Sequence, residues 1–302
     1  MNGYLARRYA ESLSHVGSPL TLPQSGSWAI QREIQGSAEY DAMGCYPLMA
    51  CTDWRMLAAD LAGLKSTLVS FTMVTDPLGD FDHNLLESTF PDLCKPFKQH
   101  HLVDLQGSYM AGISSNHLRN AKKAAKQLAI IREEKPIESL PSWESMYGNL
   151  IKRHQIEGVA AFSSTSFAAQ FETPGLVVYS AFLNDQRVGM VVFYVMNNHV
   201  YYHLGAYREA GYDKKASFGI FRKAIDDFSQ EGYTYLNMGG GAGMTEDAED
   251  GLTRFKRGWS SEVMPAYLCG VVLNELKYEK LVTLRGNAAS ANPFFPAYRS
   301  TL

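Results

Sequence analysis

The chain has 302 residues, which at about 150 residues per domain leaves room for two domains. Hydrophobic residues make up 46% and charged residues 20%, enough apolar surface to offset the entropy lost on folding, so disordered and low-complexity classes are excluded. A net charge of −3 argues against a dedicated duplex-DNA or polybasic membrane binder. The longest apolar run, 188–196, falls well short of the ~20 residues that a bilayer span needs. Residues 1–8 have no signal-peptide core. The four cysteines, Cys45, Cys51, Cys94 and Cys269, are too sparse and too widely spaced for a disulfide scaffold or a zinc site. They read as free thiols packed as small hydrophobes. The expectation is a cytoplasmic protein with no membrane span, no DNA partner and no metal.

In chain order, 28–34 reads as a strand, 54–64 as a helix with Leu57, Leu61 and Leu64 in register, and 68–74 as a strand. Asp76 to Asp80 supply a turn, and a short helix near 85–88 precedes a strand over 101–105. A basic helix follows over 116–128. Arg119, Lys122 and Lys126 share one of its faces, and 116–135 holds six basic against two acidic residues. Such a local excess in an acidic chain can meet RNA phosphates, or it can simply be solvated.

Residues 129–133 read as a strand. Pro141 and Ser142 open a helix whose face is Trp143, Met146, Tyr147, Leu150 and Ile151, and a second short helix over 165–171 stops at Pro174. Three strands, 176–183, 187–196 and 200–206, are joined by the turns Asn184-Asp185 and Asn197-Asn198, an antiparallel meander. A polar loop over 208–215 leads into a helix with the stripe Phe218, Phe221, Ile225 and Phe228, ended by Gly232. A short strand over 233–238 runs into Gly239, Gly240 and Gly241, with Gly243 close behind. A short helix over 252–257 and a strand over 265–273 complete the series.

From residue 129 this order, β-α-α-β-β-β-α-β-α-β, is similar to that of GNAT-type acyltransferases. The segment Gly251-Leu252-Thr253-Arg254-Phe255-Lys256-Arg257-Gly258-Trp259, following a glycine-rich strand end, resembles the FemABX-like branch of that superfamily. Segments 118–124, 201–206 and 295–299 support the resemblance, which covers the chain from about residue 112 onward. The first half reads as a thinner version of the same kind. The expected fold class is therefore α+β: two GNAT-like lobes with a mixed, mostly antiparallel sheet and helices on both faces. Residues 1–112 would form a degenerate lobe and 113–302 the catalytic lobe, with the C-terminal tail able to pack back on the first.

The resemblance implies amide formation on an amine of a small molecule or peptide. The donor is an aminoacyl-tRNA in the Fem-like ligases and an acyl-CoA in ordinary GNAT enzymes. Either would be a co-substrate, with no tightly bound cofactor. No heptad stretch matches the coiled-coil arm of the wall-precursor ligases, so a soluble amine or peptide is the expected acceptor.

Lys256 matches the ligase lysine beside the reacting carbonyl and the tRNA terminus, where a cation would stabilise the tetrahedral oxyanion. Phe255 and Arg254 would contact substrate. The plainer alternative is a surface lysine in the basic run Arg254, Lys256, Arg257. His203, with Tyr202 and Tyr207 near it, is either a general base or a core histidine. Asn237 and Gly239, Gly240 and Gly241 suit close approach of a backbone to a ligand, or a flexible turn. The loop Arg208-Glu209-Ala210-Gly211-Tyr212-Asp213 stands where acetyl-CoA-binding GNAT enzymes carry Q/R-x-x-G-x-G/A. Asp213 replaces the small residue, and its carboxylate would repel a pyrophosphate. Arg208, Arg119, Lys122 and Lys126 are the candidates for the donor's phosphates. His100 and His101 are adjacent on a strand, face opposite ways and make a poor metal pair. If Lys256 were only a surface charge, a catalytically silent GNAT-like binding protein would remain.

Overall fold

The computed structural model describes residues 1–107, 109–241, 250–260, 262–285 and 294–300. Among them are eleven strands: β1 (Ser18–Leu22), β2 (Ser27–Glu33), β3 (Tyr40–Gly44), β4 (Leu68–Val74), β5 (Leu93–Asp104), β6 (Ala129–Arg132), β7 (Leu176–Leu183), β8 (Gln186–Met196), β9 (His199–Tyr207), β10 (Tyr235–Asn237) and β11 (Glu262–Val272). The pairing is mixed and mostly antiparallel, the α+β class expected. The chain divides into two compact units, Tyr4–Phe97 with Ala266–Leu302, and Met1–Gly3 with Lys98–Pro265. These bounds differ from the expected 1–112 and 113–302. The chain changes unit inside the long strands β5 and β11, where no Gly, Pro or Ser cluster marks a linker.

In the first unit β1, β2 and β3 form an antiparallel series, β3 runs parallel to β4, and β4 pairs antiparallel with β11. The helix Leu57–Gly63 makes the crossover that a parallel pair requires. Its buried face, Leu57 and Leu61, packs with Trp54, Phe71 and Phe90. The fully buried Asp41 carboxylate accepts from the Arg32 guanidinium (3.0 Å), the Tyr298 hydroxyl (3.1 Å) and Arg299. Residues 295–299 therefore serve to anchor the C-terminal segment within this unit.

The second unit carries the order β5-β10-β9-β8-β7-β6. Among its described strands only β9 and β10 are parallel, and the helix Ala216–Gln230 connects them. Ile220, Phe221, Ala224, Ile225 and Phe228 of this central helix are completely buried, the larger side chains among them each worth about 1.5–3 kcal/mol. Phe193 of β8 meets Phe221 and Phe228, whereas the next residue, Tyr194, meets His203 and donates to the Gln170 carbonyl on the opposite face. The basic helix runs Ser115–Ala125 and buries His117, Ala121 and Ala124, leaving Arg119, Lys122 and Lys126 exposed. Between β8 and β9 the register slips. Val192 faces Leu204 and Phe193 faces Tyr202, so His203 is the extra residue of a bulge.

Candidate active site

The site lies within the second unit, at the end of β10. Asn237, the last residue of that strand, turns its side-chain Oδ1 forward to accept the Gly239 N–H at 2.8 Å. Gly239 has φ +77°, the left-handed region that glycine enters without cost. A Cβ on Gly239 would lie 3.1 Å from Lys256 Nζ, one on Gly240 3.0 Å from Lys98 Cβ, and one on Gly241 2.3 Å from Thr253 Oγ1. The triplet is thus a place where side chains from β5 and from the motif helix press against bare backbone. Gly243 lies outside the described residues.

The motif helix, Gly251–Arg257, is capped by Asp250, whose carboxylate accepts the Thr253 N–H (2.9 Å) and hydroxyl (3.1 Å). Its far end is fixed by His117 of the basic helix. Nε2 of His117 donates to the Phe255 carbonyl at 2.9 Å, Nδ1 accepts from Ser114 at 2.8 Å, and the ring packs against Phe218, Phe255 and Trp259. Gly258 is glycine because a Cβ there would sit 2.0 Å from the His117 ring.

This clamping turns Lys256 inward. The residue is only 6% exposed, its Nζ donates to the Gly240 carbonyl at 2.6 Å, and it lies 5.5 Å from the centroid of the Tyr202 ring. The surface-lysine alternative does not hold. Burial pushes its ammonium down to about 7; the Asp250 carboxylate opposes that shift and the Lys98 charge adds to it. Near neutral pH the group therefore exists as both ammonium and amine.

His100 completes the constellation. It donates from Nδ1 to Asn237 Oδ1 at 3.1 Å, and burial together with the nearby Lys256 charge pushes it down to about 3. It is a neutral imidazole there. Sequence reasoning weighed His100 only as a metal ligand; nothing in its local pattern signals a partner 137 residues away.

The remaining candidates separate. Asn237, Gly239, Gly240, Gly241 and Lys256 come together. His203 does not join them: it faces Phe162 and Tyr194, opposite to Tyr202, and burial pushes it down to about 3, a weak base at neutral pH. Tyr207 packs over Gly189, whose Cβ position is 2.6 Å from its ring, and against Tyr212. Phe255 belongs mainly to the aromatic core with Phe218 and Phe221, while Arg254 is exposed.

Glu209–Asp213 forms a helical turn of its own. Gly211 is required because a Cβ would meet the Val188 carbonyl at 2.1 Å, so its smallness serves packing. Arg208 and Asp213 are exposed. An open groove of about 540 Å³ lies along the motif helix, lined by Asn116, Phe218, Arg254, Phe255 and Arg257 among others. Arg119 reaches its edge by donating to Asn116 at 2.7 Å.

Residues 141–257 match the model of the acetyltransferase (GNAT) domain family. That stretch, within the second unit, resembles a GNAT acetyltransferase domain. No curated protein matches its sequence. Among solved structures, FemX is similar at 12% identity and a TM-score of 0.66, over 92% of this chain and 94% of that one. The C-terminal domain of a putative lysylphosphatidylglycerol synthetase from Agrobacterium fabrum is similar at 13% identity and a TM-score of 0.60, over 94% and 91%. L-PGS from Bacillus licheniformis follows at 14% and 0.57, over 94% and 97%. At these identities the likeness is one of fold, the GNAT-like architecture shared with the FemX type. No helix among the described residues is long and apolar enough to cross a membrane.

Proposed function

We propose that this chain transfers an aminoacyl group from an aminoacyl-tRNA to an amine of a small molecule or peptide in the cytoplasm, forming an amide. The observation that carries the reading is the groove along the motif helix. It is lined by Arg254 and Arg257 together with Phe218 and Phe255, and Phe255 and Arg257 are the chain neighbours of Lys256. Guanidiniums suit phosphodiesters, and half-buried rings at a groove wall can stack on an unstacked base, the two needs of an RNA 3′ end. Arg119 at the groove's edge, with Lys122 and Lys126 exposed on the same helix, extends the basic track. The stretch that would cradle a CoA pyrophosphate is instead a closed helical turn ending in an exposed Asp213.

In this reading the unit containing Lys98–Pro265 is catalytic and the other is a degenerate GNAT-like lobe. The acceptor nitrogen attacks the ester carbonyl carbon, and the carbonyl electron pair moves to oxygen. Lys256, buried where electrostatic interactions are strong, donates to that oxyanion. Collapse then breaks the bond to the ribose oxygen, which leaves with the electron pair and takes up a proton, while the acceptor nitrogen loses one.

The second reading is an acyl-CoA donor, favoured by the acetyltransferase description of the matching family. Fluorescence-polarisation binding of a charged tRNA minihelix separates the two. We expect Arg254→Ala and Arg257→Ala each to weaken binding several-fold and to lower the log–log salt slope by about 0.7 for each phosphate no longer neutralised. Millimolar acetyl-CoA should not compete. Competition by acetyl-CoA, with binding indifferent to both arginines, would establish the second reading instead.

A further inference from the structure

Asn237 has bonding capacity that the described residues do not use. It is 2% exposed, and its planar amide cannot be turned over: the Gly239 N–H can only donate, so the atom it meets is the carbonyl oxygen. The His100 Nδ1–H occupies the second lone pair of that oxygen. The other arm, Nδ2, is buried with no hydrogen-bond acceptor among the described residues. Buried amide N–H groups without acceptors are rare and destabilising, and they need a reason. Holding Gly239 and His100 is not that reason, since an aspartate would offer the same oxygen without the idle donor.

The place supplies one. Gly239, which Asn237 holds through its N–H, is the residue whose Cβ position nearly touches Lys256 Nζ, and the Lys256 charge is felt by the His100 ring bonded to Asn237. The Asn237 side chain, through Oδ1, and the Lys256 ammonium thus both border Gly239 at the strand end, and Lys256 and the Asn237 Nδ2 arm are both shut away from bulk water.

We propose that Asn237 Nδ2 is the second donor to the oxyanion formed at the acyl carbonyl, with His100 as the positioning residue that keeps the amide plane turned toward it. The inference rests on the acyl transfer proposed above, although not on which acyl donor is used. As the acceptor nitrogen bonds to the carbonyl carbon, the carbonyl electron pair moves to oxygen, which accepts from Lys256 Nζ–H and Asn237 Nδ2–H. The pair returns as the bond to the leaving group breaks. Neither donor gives up its proton, which is why a neutral amide can serve.

The test is single-turnover loss of the acyl group from an alanyl-tRNA minihelix and, in parallel, from acetyl-CoA, with glycinamide as acceptor and water as control. Asn237→Asp keeps the oxygen that Gly239 and His100 require and removes the donor. We expect it to lower the rate about 10²–10³-fold with whichever donor the wild type uses, and to leave the donor KM within about threefold. Adding Lys256→Met should cost much less than the product of the two single losses, since the donors act on one oxygen. His100→Phe should lower kcat with KM unchanged, a split that a merely structural role would not produce. If the carboxylate unfolds the unit, Asn237→Ala carries the same expectation. A folded Asn237 variant with wild-type rate overturns the inference. Transfer from acetyl-CoA alone overturns the aminoacyl-tRNA reading and leaves Asn237 to be judged on that reaction. No accelerated transfer from either donor overturns both.

Discussion

Replacing Lys256 by methionine should change how stability depends on pH. In the folded chain burial holds the Lys256 ammonium down to about 7, against 10.5 for a free side chain. The folded-state value lies below the unfolded one, so between these limits the unfolded chain binds the extra proton and stability rises with pH. At a limiting slope of roughly 1.4 kcal/mol per pH unit, halved at pH 7 itself, the wild type should gain about 2 kcal/mol between pH 7 and pH 9, and about 5 kcal/mol over the whole window. From about a pH unit below 7 downward the cost is fully present and no longer varies. Methionine fills a similar volume without a titrating group, so the variant should lack this slope. It also loses the 2.6 Å bond to the Gly240 carbonyl, a constant of about 1–3 kcal/mol that leaves the slope untouched. Urea unfolding of both proteins at pH 6, 7, 8 and 9 measures the difference directly, since every other group cancels. Parallel curves across that range would mean that Lys256 is an ordinary solvated lysine.

Other perturbations follow from the same geometry. Changing Arg119, Lys122 and Lys126 to alanine should weaken charged-tRNA binding and flatten its salt dependence; binding unchanged at several salt concentrations would leave that face merely solvated. Gly258→Ala drives a methyl to 2.0 Å from the His117 ring and should cost at least 1–3 kcal/mol in denaturant unfolding, together with turnover, because the clamp sets the Lys256 helix. Asp41→Ala strands the Arg32 and Arg299 guanidiniums, with an expected loss of about 3–5 kcal/mol and no direct effect on the Lys256 site. Asp213→Gly should improve any CoA binding measured by calorimetry and leave aminoacyl-tRNA transfer nearly unchanged.

The antiparallel meander and the central helix were legible because their signals are strong: β-branched and aromatic runs punctuated by the turns Asn184-Asp185 and Asn197-Asn198, and a phenylalanine stripe along Ala216–Gln230. Strands β1 and β3 were not, since five-residue pieces such as Ser-Pro-Leu-Thr-Leu carry a proline and no alternation. The bounds of the two compact units were not legible, because the long strands β5 and β11 cross them without a compositional mark. Lys256 was legible through the motif around it, but its burial was not, because the clamp that turns it inward comes from His117, 138 residues before the bonded Phe255 carbonyl. Partnerships of that kind, like His100 with Asn237, are set by sheet order and leave no local pattern. For His203 the local context left a base and a core histidine both open, and burial makes it a neutral residue facing away from Tyr202.

The most direct test of the central claim is transfer of a radiolabelled amino acid from charged tRNA into amine-containing small molecules and peptides by the purified chain, with and without ribonuclease pretreatment, beside a parallel reaction with labelled acetyl-CoA. Labelled amide is expected from the charged tRNA, abolished by ribonuclease and reduced about 10²–10³-fold in Lys256→Met. Labelled product from acetyl-CoA alone, indifferent to ribonuclease, would contradict the aminoacyl-tRNA reading.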